Sequence, residues 1–86
     1  MALRVAAQVS LYPLRVPHLS PAIKEFVATL QQEGLEASIG PLSTFVEGDA
    51  DTFFRALAKA FASAAQGQHL VMNLTVANFR PTIESP

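Results

Sequence analysis

The chain has 86 residues, of which half are apolar and 15% are charged, with a formal net charge of −1 and no cysteine. This length supports one hydrophobic core, the scattered Lys and Arg argue against nucleic-acid binding, and the lack of cysteine excludes disulfides and Cys-ligated metals. The chain has no apolar window of the roughly 18 residues that a membrane span needs, and no leader-like segment. We therefore expect one unexported, cytoplasmic domain over residues 1–81 and a short tail over 82–86.

The first predicted elements are a strand and a helix. Apolar and polar residues alternate over positions 3–11, which predicts a strand with one buried face. Pro13 and Pro17 are expected to end its regular pairing, so that the chain leaves the sheet over positions 10–14. Ser20 followed by Pro21 predicts a helix N-cap and first turn, and Gly34 is placed to end the helix. The apolar residues between them follow one helical face: Ile23, Phe26, Val27 and Leu30.

A hairpin and a second helix follow. Positions 35–39 and 42–46 are short strand candidates separated by the turn dipeptide Gly40-Pro41, and Gly48 is expected to end the second strand. Asp49 or Asp51 is positioned to cap the next helix, which Gly67 closes. Its predicted buried stripe consists of Phe54, Leu57, Ala58, Phe61, Ala64 and Ala65.

The last predicted element is a strand over positions 70–77, which completes the order β-α-β-β-α-β. With two right-handed crossovers, this order predicts an α+β fold with a four-stranded antiparallel sheet in the order 4-1-3-2. Both helices are expected on one face, as in the ferredoxin-like sandwich. The other face of the sheet is left uncovered, which favours self-association.

The topology predicts where polar groups converge. The carboxyl end of the first strand lies beside the amino ends of the third and fourth, which brings together positions 10–12, 43–44 and 69–73. A polar cleft is one interpretation. The alternative is that Ser43 and Thr44 are ordinary strand residues, that Tyr12 covers the sheet edge, and that Asn73 satisfies a neighbouring backbone group.

Catalytic and metal-binding patterns are missing from the sequence. His18 and His69 lie in no recognisable motif, and a nucleophile, a base and an orienting acid do not occur together. Glu47, Asp49 and Asp51 flank a helix start, where acidic residues are favoured by the helix dipole. We therefore expect no metal, no cofactor and no enzymatic activity.

Three segments carry a family resemblance: SLYPL at 10–14, LSTFVEG at 42–48 and HLVMNLT at 69–75. Together they resemble the thiamine/hydroxymethylpyrimidine-binding (YkoF-like) family. The resemblance implies a non-catalytic binder of thiamine or its pyrimidine precursor, linked to uptake or salvage of the vitamin. It implies ligand contacts at Leu11, through its backbone, and at Thr44; geometry adds their neighbours Ser10, Tyr12, Ser43 and Asn73.

The best-known members of that family carry two copies of the domain, whereas this chain has one. We therefore expect it to self-associate, as a homodimer or a homotetramer. The alternative function is a homo-oligomeric structural or regulatory module with no metabolite ligand, in which the uncovered sheet face is buried against another subunit. That face would include Ala6, Gln8, Val71 and Asn73.

Overall fold

The computed structural model describes residues 3–14, 20–40 and 43–79, and within them the elements follow the predicted order. The strands are β1 (Arg4–Pro13), β2 (Glu36–Ile39), β3 (Thr44–Asp49) and β4 (Leu70–Ala77), and the helices are α1 (Ser20–Gln32) and α2 (Ala50–Ala64). All strand pairs are antiparallel, in the order β2-β3-β1-β4, which is the predicted 4-1-3-2 read from the other edge. The α+β ferredoxin-like fold is therefore confirmed.

One face of the sheet forms the core with both helices. Alternate residues of β1, from Val5 to Leu11, are buried in one cluster with Phe26 and Leu30 of α1 and Phe53 of α2. The opposite face, which we call the open face, has no helix packed on it among the described elements. The one-sided arrangement follows from the alternation of side chains along a strand.

Strand β1 runs further than the sequence predicts. Pro13 lies opposite Leu70 of β4, and the Leu14 N–H donates to the His69 carbonyl at 2.9 Å. In an antiparallel ladder, hydrogen-bonded pairs of opposite residues alternate with pairs that are not hydrogen-bonded. Because Leu14 and His69 form a hydrogen-bonded pair, the adjacent pair of Pro13 and Leu70 is not hydrogen-bonded. The missing N–H of Pro13 therefore removes no bond to β4. The prediction that Pro13 ends the regular pairing, so that the chain leaves the sheet over positions 10–14, is wrong, because pairing with β4 continues through Pro13.

Strand β3 also outlasts its predicted end. Gly48 lies inside β3, opposite Val5, and the strand continues to Asp49. The φ angle of Gly48 is not positive, but a Cβ at this position would collide with the buried Leu35 side chain. A side chain at position 48 would thus force the Leu35 side chain to move. The prediction that Gly48 ends the strand is wrong.

Helix α1 follows the sequence signals closely. It begins at Ser20 and ends at Gln32, and Gly34 has a φ of +94°, the left-handed conformation that ends many helices. The Leu35 N–H then donates to the Leu30 carbonyl at 3.2 Å, which ties the chain back to the helix as it turns toward β2. The predicted roles of Pro17, His18 and the Ser20 side chain lie outside the described residues, as do Pro41, Leu42 and the tail over 82–86.

Helix α2 begins at the predicted cap but buries a different stripe. Its buried residues are Phe53, Ala56, Leu57 and Ala60, whereas Phe54 is 51% exposed. The predicted stripe is therefore displaced by one residue: Leu57 is buried and Ala64 is partly buried as predicted, but Phe53 is buried in place of Phe54. Because alanines and phenylalanines occur on both candidate stripes, the apolar pattern alone did not determine the rotation of the helix. The observed rotation turns Ala56 and Ala60 inward, where small side chains permit close packing.

The cap of α2 provides a first prediction. The Asp49 carboxylate accepts a hydrogen bond from the Thr52 N–H at 3.2 Å. Asp49→Ala is expected to lower the free energy of unfolding by about 1 kcal/mol, because one amide of the first turn loses its acceptor. The exposed Asp51 is the matched control, since Asp51→Ala removes only a favourable charge–dipole interaction of about 0.3 kcal/mol. Urea unfolding followed by circular dichroism checks this, and equal losses would contradict the assigned cap.

Candidate functional site

A pocket of about 140 Å³ lies at the carboxyl end of β1. It opens between the end of β1, the described residues on either side of the β2–β3 connection, and the first turn of α1 at Ile23. The described residues that line it are Val9, Ser10, Leu11, Tyr12, Ile23, Ile39, Gly40, Ser43 and Thr44.

The pocket brings together all but one of the site residues proposed from sequence. Ser10, Leu11, Tyr12, Ser43 and Thr44 line it. Asn73 lies opposite Ser10 in β4, is exposed on the open face, and does not line the pocket. Its predicted ligand contact stays a prediction without support from the pocket geometry.

The backbone of Leu11 is the most informative group at the site. Along β1, the backbone N–H and C=O groups of one residue point toward β4 and those of the next residue point toward β3. Leu14 bonds to His69 next to β4, so the residues at even positions point toward β4. The N–H and C=O of Leu11 therefore point away from β4, toward the side of β3. The described part of β3 begins at Thr44, opposite Val9, and the position opposite Leu11 lies outside the described residues. The N–H donor and the C=O acceptor of Leu11 thus lie beyond Thr44, the first residue of β3, and Leu11 lines the pocket there.

Side chains add hydroxyls around this backbone pair. Thr44 is 5% exposed and lines the pocket, so the little surface that it keeps faces the pocket. Tyr12 is 46% exposed at the rim, and Ser43 is partly buried. Together with Leu11, these groups can satisfy the polar edge of a small planar molecule, while Ile23 supplies apolar contact.

The hairpin end that closes the pocket depends on a glycine. The Gly40 N–H donates to the Ser43 carbonyl at 2.8 Å, and a Cβ on Gly40 would approach that same carbonyl oxygen to 2.9 Å. A side chain at position 40 would therefore distort the pocket wall. Sequence reasoning treated Gly40 only as a turn signal and missed Ile23 and Ile39, because apolar residues in regular patterns are normally assigned to the core.

The pocket is uncharged along its described lining. The Arg4 guanidinium lies 3.9 Å from carboxylate oxygens of both Glu36 and Glu47, but Arg4 begins β1 and so lies at the opposite end of the sheet. An ionic ligand group such as phosphate or carboxylate would find no countercharge among these lining residues. The lining instead suits a neutral ring with hydrogen-bonding edges.

Two further features are missing from the described part of the chain. Residues 3–14, 20–40 and 43–79 contain no group of three or more His, Cys, Asp or Glu side chains placed to hold a metal ion. Within the same residues, no helix combines the length and the apolar character needed to cross a membrane.

A second depression of about 190 Å³ lies on the open face. Its lining is mostly small or uncharged, and it is centred on β1 and its two neighbours. The described residues that line it are Ala6, Ala7, Gln8, Phe45, Thr75 and Ala77. Gln8 and Thr75 are the polar side chains among these lining residues, so the depression resembles a packing surface more than a ligand site.

Comparison with known proteins places this geometry in context. A family model described as "Thiamine-binding protein" matches residues 7–81, which include β1 from Ala7 onward and every later element. No curated protein sequence matches the chain.

Solved structures share the fold at low sequence identity. A hypothetical protein from Methanocaldococcus jannascii superposes with a TM-score of 0.80 and 24% identity, covering 95% of this chain and 86% of that one. A putative thiamine biosynthesis/salvage protein from Thermotoga maritima gives 0.74 and 19%, covering 85% and 81%. A domain of unknown function from Bacillus cereus gives 0.74 and 17%, covering 99% and 84%. These similarities establish the fold.

Proposed function

Because the chain belongs to the thiamine-binding protein family, we propose that it binds thiamine or its hydroxymethylpyrimidine precursor without transforming it. The proposed setting is uptake or salvage of the vitamin in the cytoplasm. The name of the Thermotoga maritima neighbour, a putative thiamine biosynthesis/salvage protein, supports this setting. The pocket at the end of β1 is the proposed binding site.

The observation that carries the proposal is that Leu11, whose backbone N–H and C=O are directed away from β4, and Thr44, which has a hydroxyl, line the same pocket. An aminopyrimidine presents an amino donor beside a ring-nitrogen acceptor along one edge. The carbonyl and the N–H of one strand residue are complementary to such an edge, because they accept and donate side by side as they would toward a neighbouring strand. The Thr44 hydroxyl can donate or accept at a further ring position.

The size of the pocket favours the pyrimidine as the enclosed part. Its volume of about 140 Å³ is below the range of roughly 300–1,000 Å³ that holds drug-sized ligands. One substituted ring is therefore enclosed, and the thiazolium of thiamine would lie at the mouth. There the half-exposed Tyr12, which lines the pocket, supplies an aromatic ring for a cation–π contact.

A binding role without catalysis is part of the same proposal. The described pocket lining supplies hydroxyls and backbone groups but no imidazole, thiol, amine or carboxyl group. Hydrolysis or transfer reactions normally need a base or an activated nucleophile at the reacting atom. Turnover of thiamine by the purified protein would contradict this part of the proposal.

Calorimetric titration tests the ligand. Hydroxymethylpyrimidine and thiamine are each expected to give saturable heat with one site per chain, and the free thiazole alcohol is expected to give none. The contact between the thiazolium and the half-exposed Tyr12 ring adds about 0.5–1 kcal/mol, so thiamine should bind about 2- to 5-fold more tightly than hydroxymethylpyrimidine. No heat from either pyrimidine compound at millimolar concentration would contradict the proposal.

A hydroxyl deletion tests the position of the site. Thr44→Val keeps the volume of the side chain and removes its hydroxyl, and it is expected to weaken pyrimidine binding about 3- to 10-fold, the value of one net hydrogen bond. Thr29→Val is the matched control, because the Thr29 hydroxyl donates only to the Glu25 carbonyl at 3.1 Å within α1. Equal affinities for both variants in the same titration would place the ligand elsewhere.

The second candidate function is assembly without a metabolite. It is favoured by the open face, where the 190 Å³ depression and the exposed Val71 offer surface for another subunit. We propose homo-oligomerisation, as a homodimer or a homotetramer, under either function. Ligand titration separates the two, because an assembly module would give no heat with the pyrimidine compounds while keeping its oligomeric mass.

A further inference from the structure

The polar side chains in the described lining of the pocket share one property, which is that each carries a hydroxyl. They are Ser10, Tyr12, Ser43 and Thr44, and the other described lining residues are apolar or glycine. A hydroxyl can turn either to donate a hydrogen bond or to accept one, whereas a carboxylate only accepts and a guanidinium only donates. The described lining therefore contains no side chain whose hydrogen-bonding role is fixed.

The backbone of Leu11 can also be met in two ways. Its N–H donates and its C=O accepts, and both point away from β4 at the place where Leu11 lines the pocket. An amidine edge, as in an aminopyrimidine, places its amino group at the C=O and its ring nitrogen at the N–H. A lactam edge on a ring that is turned over places its ring N–H at the C=O and its carbonyl oxygen at the N–H. Both edges form two hydrogen bonds with the same residue.

We propose that the pocket binds 4-oxopyrimidines, which carry the lactam edge, as well as aminopyrimidines. The inference rests on the proposed function, since it takes the pocket at the end of β1 as the binding site. Sites that discriminate through hydrogen bonds reach roughly 10⁴- to 10⁵-fold, because the wrong ligand leaves a buried group of fixed role unpaired. Hydroxyls and the Leu11 pair adapt to both edges, so the pocket selects for the size of the ring and for the presence of an edge.

The substituents of hydroxymethylpyrimidine permit the turned-over pose. A methyl group at C2 and a hydroxymethyl group at C5 flank its amidine edge, one beyond each end. Turning the ring over exchanges the positions of these two groups. Because they are similar in size, the ring still fits the same enclosed volume of about 140 Å³. Ile23 and Ile39 contribute apolar contact, which does not depend on the face of the ring that they meet.

Thiamine does not tolerate the same exchange. Its thiazolium ring is attached through C5, and the proposed pose places that ring at the mouth of the pocket beside Tyr12. In the turned-over pose C5 lies at the other end of the Leu11 edge, inside a volume that holds one ring. The 4-oxo counterpart of thiamine therefore loses either the hydrogen bonds of its edge or the room for its thiazolium. The pocket is thus tolerant toward free pyrimidines and selective for the amino group of thiamine.

Calorimetric titration of the full chain with two pairs of compounds tests the proposal. Hydroxymethylpyrimidine and its 4-oxo counterpart are expected to have dissociation constants within about 5-fold of each other, because each forms two hydrogen bonds with Leu11. Thiamine is expected to bind at least about 10-fold more tightly than its own 4-oxo counterpart, which leaves a backbone group unpaired. Preference for the amino form should thus appear only when the thiazolium is attached.

The possible failures can be told apart. If hydroxymethylpyrimidine binds and its 4-oxo counterpart is weaker by more than about 5-fold, the inference is overturned while the proposed function stands. No heat from any of the compounds would overturn both. Methylation of the ring nitrogen removes the donor of the lactam edge, and this N-methyl compound is expected to bind at least about 10-fold more weakly than the parent 4-oxo compound. Equal binding of these two compounds would show that the edge does not contact Leu11.

The ratio of two dissociation constants tests the adaptable role of the hydroxyls. Thr44→Val is expected to weaken hydroxymethylpyrimidine and its 4-oxo counterpart by the same factor, about 3- to 10-fold, because the hydroxyl serves both. The ratio between the two compounds should therefore stay as in the wild type, and Thr29→Val should alter neither constant. A change of this ratio by more than about 5-fold in Thr44→Val would assign the Thr44 hydroxyl a fixed role and overturn the proposal.

Discussion

Phe53→Ala is expected to lower the free energy of unfolding by about 3–5 kcal/mol, the range for truncating a phenylalanine in a well-packed core. Phe53 is fully buried in the cluster formed by the sheet and both helices. Since the free energy of unfolding of a small domain is about 5–15 kcal/mol, this substitution would remove a large share of it. The cavity left behind would lie between α2 and the sheet, and the surrounding strands and helices can collapse into it only in part.

The neighbouring phenylalanine is the matched control. Phe54 is 51% exposed and touches Phe53 edge-on, with ring centroids 4.9 Å apart. Phe54→Ala is expected to cost about 0.5–1.5 kcal/mol, mainly through the lost aromatic pair. Urea unfolding by circular dichroism at one fixed protein concentration measures both, because self-association makes apparent stability depend on concentration. A larger loss for Phe54→Ala than for Phe53→Ala would contradict the observed rotation of α2.

The rotation of α2 illustrates what hydrophobic periodicity could and could not predict. Every helix and strand was found, and β4 has the predicted bounds, because local alternation and turn residues determine element type. Which of two adjacent phenylalanines is buried depends on the distance between α2 and the sheet. That distance follows from Ala56 and Ala60 packing against partners far away in sequence, which a local pattern does not contain.

Pro13 was misread for a related reason. Proline was expected to interrupt the ladder, yet Pro13 falls where β1 makes no backbone bond to β4. A strand tolerates proline at a residue whose N–H would not be bonded to the neighbouring strand. Which residues these are depends on the register with the partner strand. The sequence of β1 alone therefore indicated that the strand ends near Pro13, but not that Pro13 itself is still paired with β4.

The candidate site was predictable in part. Topology brought Ser10 to Tyr12 near Ser43 and Thr44, and the structure gathers these residues around one pocket. The contribution of the Leu11 backbone is explained by the same alternation that accommodates Pro13: both residues direct their backbone groups away from β4. Ile23 and Gly40 reach the pocket from separate elements, and no spacing in the chain connects them to β1.

The alternation of backbone hydrogen bonds between β1 and β4 thus organises both the pocket and the sheet. It turns Leu11 toward the pocket and Ser10 toward β4, and it turns Met72 and Leu74 of β4 outward to the free edge. A change that shifted β1 against β4 by one residue would reverse all of these directions. Register variants are therefore expected to lose ligand binding together with stability, whereas Thr44→Val weakens ligand binding alone.

Gly48→Val is expected to lower the free energy of unfolding by about 1–3 kcal/mol, the usual cost of overpacking a core. A Cβ at position 48 would collide with the Leu35 side chain, which is 5% exposed and packed in the core where the chain enters β2. The added side chain meets Leu35 on the helix side of β3, whereas Arg4 and Glu47 lie on the open face.

A double-mutant cycle isolates that collision. Leu35→Ala alone is expected to cost about 2–5 kcal/mol through the cavity it leaves. In the double variant the valine at position 48 fills part of that cavity, so the combined loss should fall short of the sum of the single losses by at least about 1 kcal/mol. Urea unfolding of the four proteins measures the coupling. Additive losses would show that Gly48 is required for a reason other than room for Leu35.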